Sequence, residues 1–557
     1  MSFNHWVLFD RVARAVPSRP AIFQGKLEIS YSELHLRSKK LATFFLENGI
    51  LPPIPRSELE NWETGQDHIA IYLYNGREYL ETTFGANAAR AVPFNVNYRY
   101  VEEELLYLFN DAGPKVIVYQ EAFAPVLARI LKSLKVEPIL LQVADSSGND
   151  LIPGALDYES VMNDSEPKST DELAEITGEP LAEDAYILYT GGTTGMPKGT
   201  IWRQGDIYSA SMQVFSARLG IAPTSIDLIG ETARKVDTAV SLPLPPFMHG
   251  ASQWTALGTL LAGFTIALPT QVDRLNPKDV WECVEKFGVE SMVIVGDAFA
   301  RPLFEELEKG NYNASSLIFL ATGGAATSQG MKEKILDLLP GVIIADIGGS
   351  SESGAILSNI SRKGSVATTG TFYPLPGTFV VDETQSHILK PGDESIGWLT
   401  KTHPIPLGYL HDSEKTNRTF PTIEGERMTI LGDRARLLAD GRIELLGRDS
   451  VTINTGGEKV FAEEVEAALV SHSSIKDAVV VGRSNEKWGQ EIVAIVEINP
   501  DFELDFQKLN EYLATRLARF KLPKQIIEVE KVLRSPAGKA DYGWARELAA
   551  KTDNSNL

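Results

Sequence analysis

The sequence predicts an α/β protein in two unequal parts: a large N-terminal domain with mostly parallel sheets and helices, and a small C-terminal α+β domain. Three observations carry this expectation. At 557 residues the chain is too long for one ordinary domain. Over residues 1–447, short β-rich runs alternate with amphipathic helical ones, the pattern of strands joined by crossover helices. Residues 448–557 then carry strands and helices of their own, beyond a boundary at Gly447, Arg448, Asp449 and Ser450.

The elements follow in order. Residues 52–67, opening on Pro52 and Pro53, read as a surface loop by composition. Residues 68–74 and 115–119 are β-rich and read as strands, while 77–91 and 121–134 are amphipathic and read as helices. Residues 165–183 form an acidic, weakly periodic connector, followed by an apolar β-prone run at 185–189. Two apolar arms over 436–446 flank Asp440 and Gly441, a hairpin signal with Asp-Gly at the turn. Past the boundary, 460–470 and 506–518 read as helices, and 478–481 and 491–498 as strands.

Composition narrows the function. With 43% hydrophobic and 23% charged residues, a large core is available and disorder is not expected. The net charge of −21 argues against nucleic acid and anionic membranes as partners. The single cysteine, Cys283, excludes an internal disulfide, fits a reducing compartment and reads as a buried helix position. The first residues carry no basic region followed by an apolar core, so no signal peptide is read. The longest apolar stretch, 251–268, is too interrupted by polar residues to span a membrane. A soluble, cytoplasmic protein is expected.

The strongest local signal is Thr190, Gly191, Gly192, Thr193, Thr194, Gly195, Met196, Pro197, Lys198 and Gly199, directly behind the run at 185–189. A strand emptying into such a loop can wrap backbone N–H groups, hydroxyls and one ammonium around a polyphosphate. Glycine lets the backbone approach the anion closely, and Pro197 stiffens the exit that places Lys198. The spacing departs from the Walker pattern, because Met196 and Pro197 separate Gly195 from Lys198 and Gly199 follows the lysine. An ATP site of a different kind is expected.

This stretch resembles the phosphate loop of the acyl-adenylate-forming superfamily, which includes acyl-CoA synthetases, peptide-synthetase adenylation domains and firefly-type luciferases. The family's usual loop reads Tyr-Thr-Ser-Gly-Thr-Thr-Gly-x-Pro-Lys-Gly. Gly191 stands where the family has Ser, so a phosphate contact there must come from backbone N–H or water. The resemblance extends over the whole plan: an AMP-binding adenylation domain at 1–447 and a small, mobile C-terminal domain at 448–557. It implies that Gly323, Gly324 and Ala325, in the turn after an apolar run at 317–320, line an adenine pocket. Residues 346–352 resemble the family's Asn/Asp-x-Tyr-Gly-x-Thr-Glu. That likeness places Asp346 at the nucleotide, the Ser351 hydroxyl near the α-phosphate, and Glu352 on Mg²⁺, a hard cation suited to carboxylate and phosphate oxygens. The aromatic that usually covers adenine is Gly348 here, so stacking comes from elsewhere or the pocket is wider.

Asp433 and Arg448 resemble the pair that takes the ribose hydroxyls. Asp449 and Ser450 fall at the hinge, where the family usually has Asp or Lys in place of Ser450. Gly456, Gly457 and Glu458 resemble the turn that lets pantetheine slide past bare backbone. Lys539, in a Pro-x-Gly-Lys setting, matches the lysine whose ammonium bridges the substrate carboxylate and the α-phosphate.

The acyl side is expected around His249, in a segment resembling the family's Phe-His acyl-pocket run, and around Trp254. His249 reads as a pocket wall that orients the carboxylate, because an ionised carboxylate needs no base. Small residues over 250–263 either leave room for an extended or ring-bearing acyl group or allow close helix packing. Strings at 92–100, 199–204 and 295–302 look like actinobacterial-type acyl-CoA ligases acting on fatty acids and steroid side chains. The implied reaction is ATP-dependent ligation of CoA to a hydrophobic carboxylic acid, with ATP, Mg²⁺ and CoA bound. Acyl transfer to a carrier protein, a luciferase-like oxygenase and a degenerate nucleotide-binding regulator stand as alternatives. Assembly as a homodimer is left open.

Overall fold

A computed structural model describes residues 3–192, 195–213, 225–393, 395–448, 451–455, 458–485, 489–500, 502–517, 519–534 and 538–552. Among them the strands form two large sheets in the N-terminal part, of thirteen and eight strands, and a five-stranded sheet in the C-terminal part. The expected large and small α/β units are both present.

The eight-stranded sheet begins as a parallel array. His68–Tyr72 lies between Val92–Asn95 and Val116–Gln120, and Val92–Asn95 pairs with Ala185–Gly192. It ends antiparallel, because Ala185–Gly192 turns back into Gly195–Arg203, which pairs in turn with Gly408–Tyr409. The thirteen-stranded sheet has the same character. Its parallel half contains Val240–Pro243, Ser291–Ile294, Phe319–Gly323 and Ile343–Ser350. From Ile343–Ser350 onward it continues antiparallel through Gly354–Ser361 to Thr429–Leu437 and Ile443–Arg448. Alternation of strands and helices announces the parallel halves, and the antiparallel extensions carry no crossover helix to announce them.

Several elements differ in extent from the sequence reading. The helix expected over 77–91 ends at Ala88, because Val92 is already in a strand. The helix expected over 121–134 is a short α-helix, Ala124–Ile130, with 3₁₀ turns on both sides. The connector at 165–183 contains a helix, Thr170–Thr177, opened by a capping box in which Ser169 Oγ accepts from Glu172 N and Glu172 returns the bond to Ser169 N. In the C-terminal part, the helix expected from 460 starts at Ala462, since Glu458–Phe461 pairs with Thr452–Thr455 as a strand. The next helix, Phe506–Ala514, ends four residues before the expected 518. The strand Ile443–Arg448 runs one residue past the expected boundary at 447, which leaves Arg448 on the N-terminal sheet opposite Asp433.

At one position of the helix Gly250–Leu261 the close-packing alternative holds. A Cβ at Gly258 would clash with the Met212 carbonyl oxygen, so the smallness of that position is taken up by close backbone packing. The free face of the helix is the one carrying Ala251, Trp254 and Thr255. Cys283 is buried in the helix Pro277–Phe287, as expected. Gly258→Ala should destabilise the protein by about 1–3 kcal/mol through overpacking. Gly341→Ala, where a Cβ meets nothing within 4 Å, should stay within about 0.5 kcal/mol. Urea titrations of the two variants compare them directly, and equal stabilities would refute the packing argument.

Candidate active site

The phosphate segment is a β-hairpin more than a loop. Thr190 lies opposite Lys198 and Gly192 opposite Gly195, and Thr193 and Thr194 lie outside the described residues. The backbone of Gly191 belongs to the outgoing strand. Trp202, further down the returning strand, donates its indole N–H to the Ser351 carbonyl at 2.8 Å. The Thr190 and Ser351 hydroxyls lie 3.2 Å apart. Together these contacts fix the end of Ile343–Ser350, from the other large sheet, against the hairpin.

Glu352 follows directly. Its carboxylate accepts from the Ser351 hydroxyl at 2.7 Å and from the Tyr409 hydroxyl at 2.8 Å. Burial opposes ionisation here, but the two hydroxyl donors outweigh it and hold the carboxyl below its ordinary value. Tyr409 reaches Glu352 because it pairs with Thr200 on the hairpin, and the next residue, Leu410, donates its N–H to Gly199 O at 2.8 Å. Among the described residues no cluster of three or more His, Cys, Asp or Glu could hold a metal. A Mg²⁺ at this place would therefore have one protein carboxylate, with phosphate and water oxygens completing its shell, which suits that ion. Tyr409 and Trp202 were not singled out in the sequence, since each acts through a contact made only by sheet pairing.

A third unanticipated residue lies beside Lys198. Lys415, near the start of the helix Ser413–Thr419, places its Nζ 3.8 Å from the Tyr409 ring centroid, with its side chain within hydrogen-bonding reach of Lys198. Burial and then the Lys198 ammonium bring its pKa down to about 7.

On the adenine side, Gly323 ends the strand Phe319–Gly323, and the turn through Gly324 and Ala325 lines a cleft of about 1580 Å³. Asp346 behaves differently from the expectation. Its carboxylate accepts from Lys332 Nζ at 3.0 Å, and Lys332 also donates to Ala367 O, so the acid is engaged in an internal ion pair. Gly348 leaves no wider pocket, because a Cβ there would lie 3.0 Å from Leu357 Cβ and Leu357 fills the space. Asp433 and Arg448 face each other across the antiparallel pair Thr429–Leu437 and Ile443–Arg448. The hinge residues Asp449 and Ser450 and the turn residues Gly456 and Gly457 lie outside the described residues, and Glu458 is the first residue of the strand after that turn.

The region expected to take the acyl group is built from buried polar contacts. Asn75 donates to Pro245 O at 3.0 Å and accepts from Phe247 N at 2.6 Å. Asn95 Nδ2 donates to both Tyr189 O and Met248 O at 2.7 Å, which ties the phosphate strand to the residue before His249. Trp254 donates to the Tyr186 hydroxyl at 3.0 Å, Tyr186 to Gln253, Gln253 to Tyr79 at 2.6 Å, and Tyr79 to Phe247 O at 3.1 Å. This chain of bonds locks the walls around His249. His249 Nε2 is buried without a hydrogen-bond partner among the described residues. Burial first, then Arg99 and Lys539, drive the pKa of His249 down to about 4, so the ring is neutral near pH 7.

Lys539 comes to this place from the other domain. Gly538, at φ +74°, lies against Val295, Ala298 and Ala325, where a Cβ would sit 3.5–3.7 Å from their side chains. Arg534 holds the segment, donating to Gly538 O at 3.2 Å while paired with Asp477 at 2.6 Å. The fold thus joins Thr190, Ser351 and Glu352 through side-chain contacts, and brings Lys539 to the cleft beside Ala325 and near enough to His249 to act on its charge.

The neutral His249 has a measurable consequence. Between pH 6.5 and about 4 the unfolded chain binds a proton at this residue that the folded chain refuses, so stability falls as pH falls through that window. His249→Gln should keep more of its neutral-pH stability at pH 5 than the parent does. Denaturant titrations at the two pH values measure this, and identical losses would refute a ring buried in its neutral form.

Family models match both parts of the chain: AMP-binding enzyme over residues 9–401, and AMP-binding enzyme C-terminal domain over residues 464–539. The medium-chain acyl-CoA ligase Mig of Mycobacterium avium is 45% identical over 543 residues, which cover 97% of this chain and 96% of that one. A 3-oxocholest-4-en-26-oate–CoA ligase of Rhodococcus rhodochrous is 33% identical over 554 residues, covering 98% and 96%. In fold, the chain is similar to the anthranilate CoA ligase AuaEII in complex with anthranoyl-AMP, with a TM-score of 0.80 at 18% identity, covering 99% and 98%. With its larger part matched from residue 9 to 401 and relatives aligned along nearly all of its length, the chain belongs to the AMP-binding enzyme family.

Proposed function

We propose that this chain is an AMP-forming acyl-CoA synthetase that activates a hydrophobic carboxylic acid with ATP and passes it to CoA. The observation that carries this reading is the position of Lys539, brought by Gly538 against Ala325 and close enough to His249 to disfavour its protonation. One cleft then offers a cation between the acyl side and the nucleotide side.

In the first half-reaction a carboxylate oxygen forms a bond to the α-phosphorus, and the bond from that phosphorus to the bridging oxygen breaks, releasing pyrophosphate. The protein's task is positioning and charge neutralisation. Lys539 faces the carboxylate and the α-phosphate, where negative charge concentrates. The hairpin N–H groups and Lys198 hold the leaving phosphates. His249, neutral and with Nε2 unpartnered, is suited to donate one hydrogen bond to the bound carboxylate without acting as a base. Glu352 is the residue that would hold Mg²⁺, whose charge supports the phosphates when bound. In the second half-reaction the CoA thiolate attacks the acyl carbon and AMP leaves. Rotation about Asp449 and Ser450 would withdraw Lys539 and present Gly456 and Gly457 to pantetheine. Asp433 and Arg448 take the ribose in this reading, and Asp346 acts through Lys332.

The relatives' printed substrates, medium-chain acids and a steroid side-chain acid, support an extended apolar acyl group. The free face around Trp254 is the wall such a group would meet. The chemistry uses soluble substrates, and no described helix is long and apolar enough to cross a membrane. With its one cysteine buried and in no disulfide, the chain is assigned to the cytoplasm in this reading.

A panel of straight-chain and steroid side-chain acids, scored by acyl-CoA formation, tests the substrate class. Each added buried CH₂ should contribute about 0.8 kcal/mol, so kcat/KM should climb from butanoate to at least decanoate. A preference for acetate over every longer acid would overturn the assignment. Lys539→Ala should lower acyl-AMP formation by about two to four orders of magnitude, while thioester formation from supplied acyl-AMP changes far less. Equal loss in both half-reactions would remove Lys539 from its assigned role. Gly457→Leu should instead let acyl-AMP accumulate with little CoA ester, and equal loss of both products would make that turn structural.

A further inference from the structure

Lys415 has no assigned duty, yet the fold positions it with care. Its helix starts at Asp412, whose carboxylate accepts from Lys415 N at 2.9 Å, three residues after Tyr409 pairs with Thr200 on the phosphate hairpin. Leu410 N bonds to Gly199 O, the residue after Lys198, so the two segments are joined by backbone where the lysines meet. Lys415 Nζ lies 3.8 Å from the Tyr409 ring centroid, and the hydroxyl of that same ring donates to Glu352. The side chain also reaches Lys198. Among the described residues, neither Lys198 nor Lys415 is in a salt bridge. Two half-buried lysines in reach of each other, with Glu352 and Asp412 acting on Lys415 only from beyond salt-bridge distance, are an unfavourable arrangement for a ligand-free protein. An anion bridging both removes the conflict.

We infer that Lys415 is a second pyrophosphate-binding cation, clamping the β- and γ-phosphates of ATP against Lys198 and holding the pyrophosphate leaving group. The inference rests on the ATP-dependent reading above and adds one residue to it. The ammonium of Lys415 donates to phosphate oxygens that become the leaving group, and the Tyr409 ring beneath it limits the directions it can take. Lys415 belongs to the phosphates lost in the first half-reaction, so it has no part in the second. AMP and acyl-AMP, which lack those phosphates, should not sense it.

The test uses the full chain and magnesium pyrophosphate as the probe, with Lys415→Met to keep the stem and Lys415→Arg to keep the charge. Calorimetric binding of pyrophosphate should weaken about ten- to hundredfold in Lys415→Met, the loss expected for one charge-assisted hydrogen bond. The KM for ATP should rise with it, while Lys415→Arg retains most of the parent affinity. AMP binding and thioester formation from supplied acyl-AMP should match the parent in both variants. Unchanged pyrophosphate affinity in Lys415→Met would overturn the inference, as would AMP affinity falling to the same extent, which would mark a structural role. Pyrophosphate binding needs no turnover, so this arm reads Lys415 even in a protein that makes no acyl-CoA. A parent unable to form thioester from any supplied acyl-AMP would instead refute the proposed function.

Discussion

A polyphosphate site needs donors and cations held together before the anion arrives, against their mutual repulsion. Here that constraint falls on the antiparallel hairpin Ala185–Gly192 and Gly195–Arg203. Pairing of its arms puts Lys198 opposite Thr190, and pairing with Gly408–Tyr409 brings a tyrosine hydroxyl to Glu352. Trp202 and Thr190 fasten Ser351 from the second large sheet. A free loop would leave these groups to relax apart. A hairpin anchored on both edges does not.

The acyl side solves the complementary problem. A carboxylate must lose water to approach the α-phosphorus, and a buried charge without partners is costly. The structure answers with neutral, ordered groups: His249 held uncharged, and a run of hydrogen bonds from Trp254 to Phe247 that fixes the wall. Lys539 is supplied by the C-terminal part, with Arg534 and Asp477 bracing the segment that carries it.

Much of the fold and the site was legible because the informative residues are local in sequence. The glycine-threonine run at 190–199 is a composition confined to ten consecutive positions, and the Asp-Gly turn at 440–441 uses a backbone conformation at Gly441 that few residues permit. Thr170–Thr177 escaped notice because an acidic, weakly apolar stretch has little periodicity, though its Ser169 and Glu172 capping box was there to be read. Gly348 suggested an open pocket, and the small residues at 250–263 suggested room beside a helix. At Gly348 and Gly258 the space belongs to Leu357 and to the Met212 backbone. A missing side chain in the sequence does not reveal what packs into its place.

By itself, then, the sequence determined the α/β class, a large N-terminal part followed by a small C-terminal one, the family likeness carried by 190–199 and the candidacy of Lys539. Each of these depends on residue types at short spacing. Only the tertiary structure decided that Asp346 is held by Lys332, that Tyr409 and Trp202 organise Ser351 and Glu352, and that Lys415 stands against Lys198. The physical reason is the same in each case. Lys198 and Lys415 are more than two hundred positions apart in sequence, and nothing in either neighbourhood encodes the strand register that makes them neighbours. Charge and hydrogen-bond partnership across such distances belong to the register of the sheets.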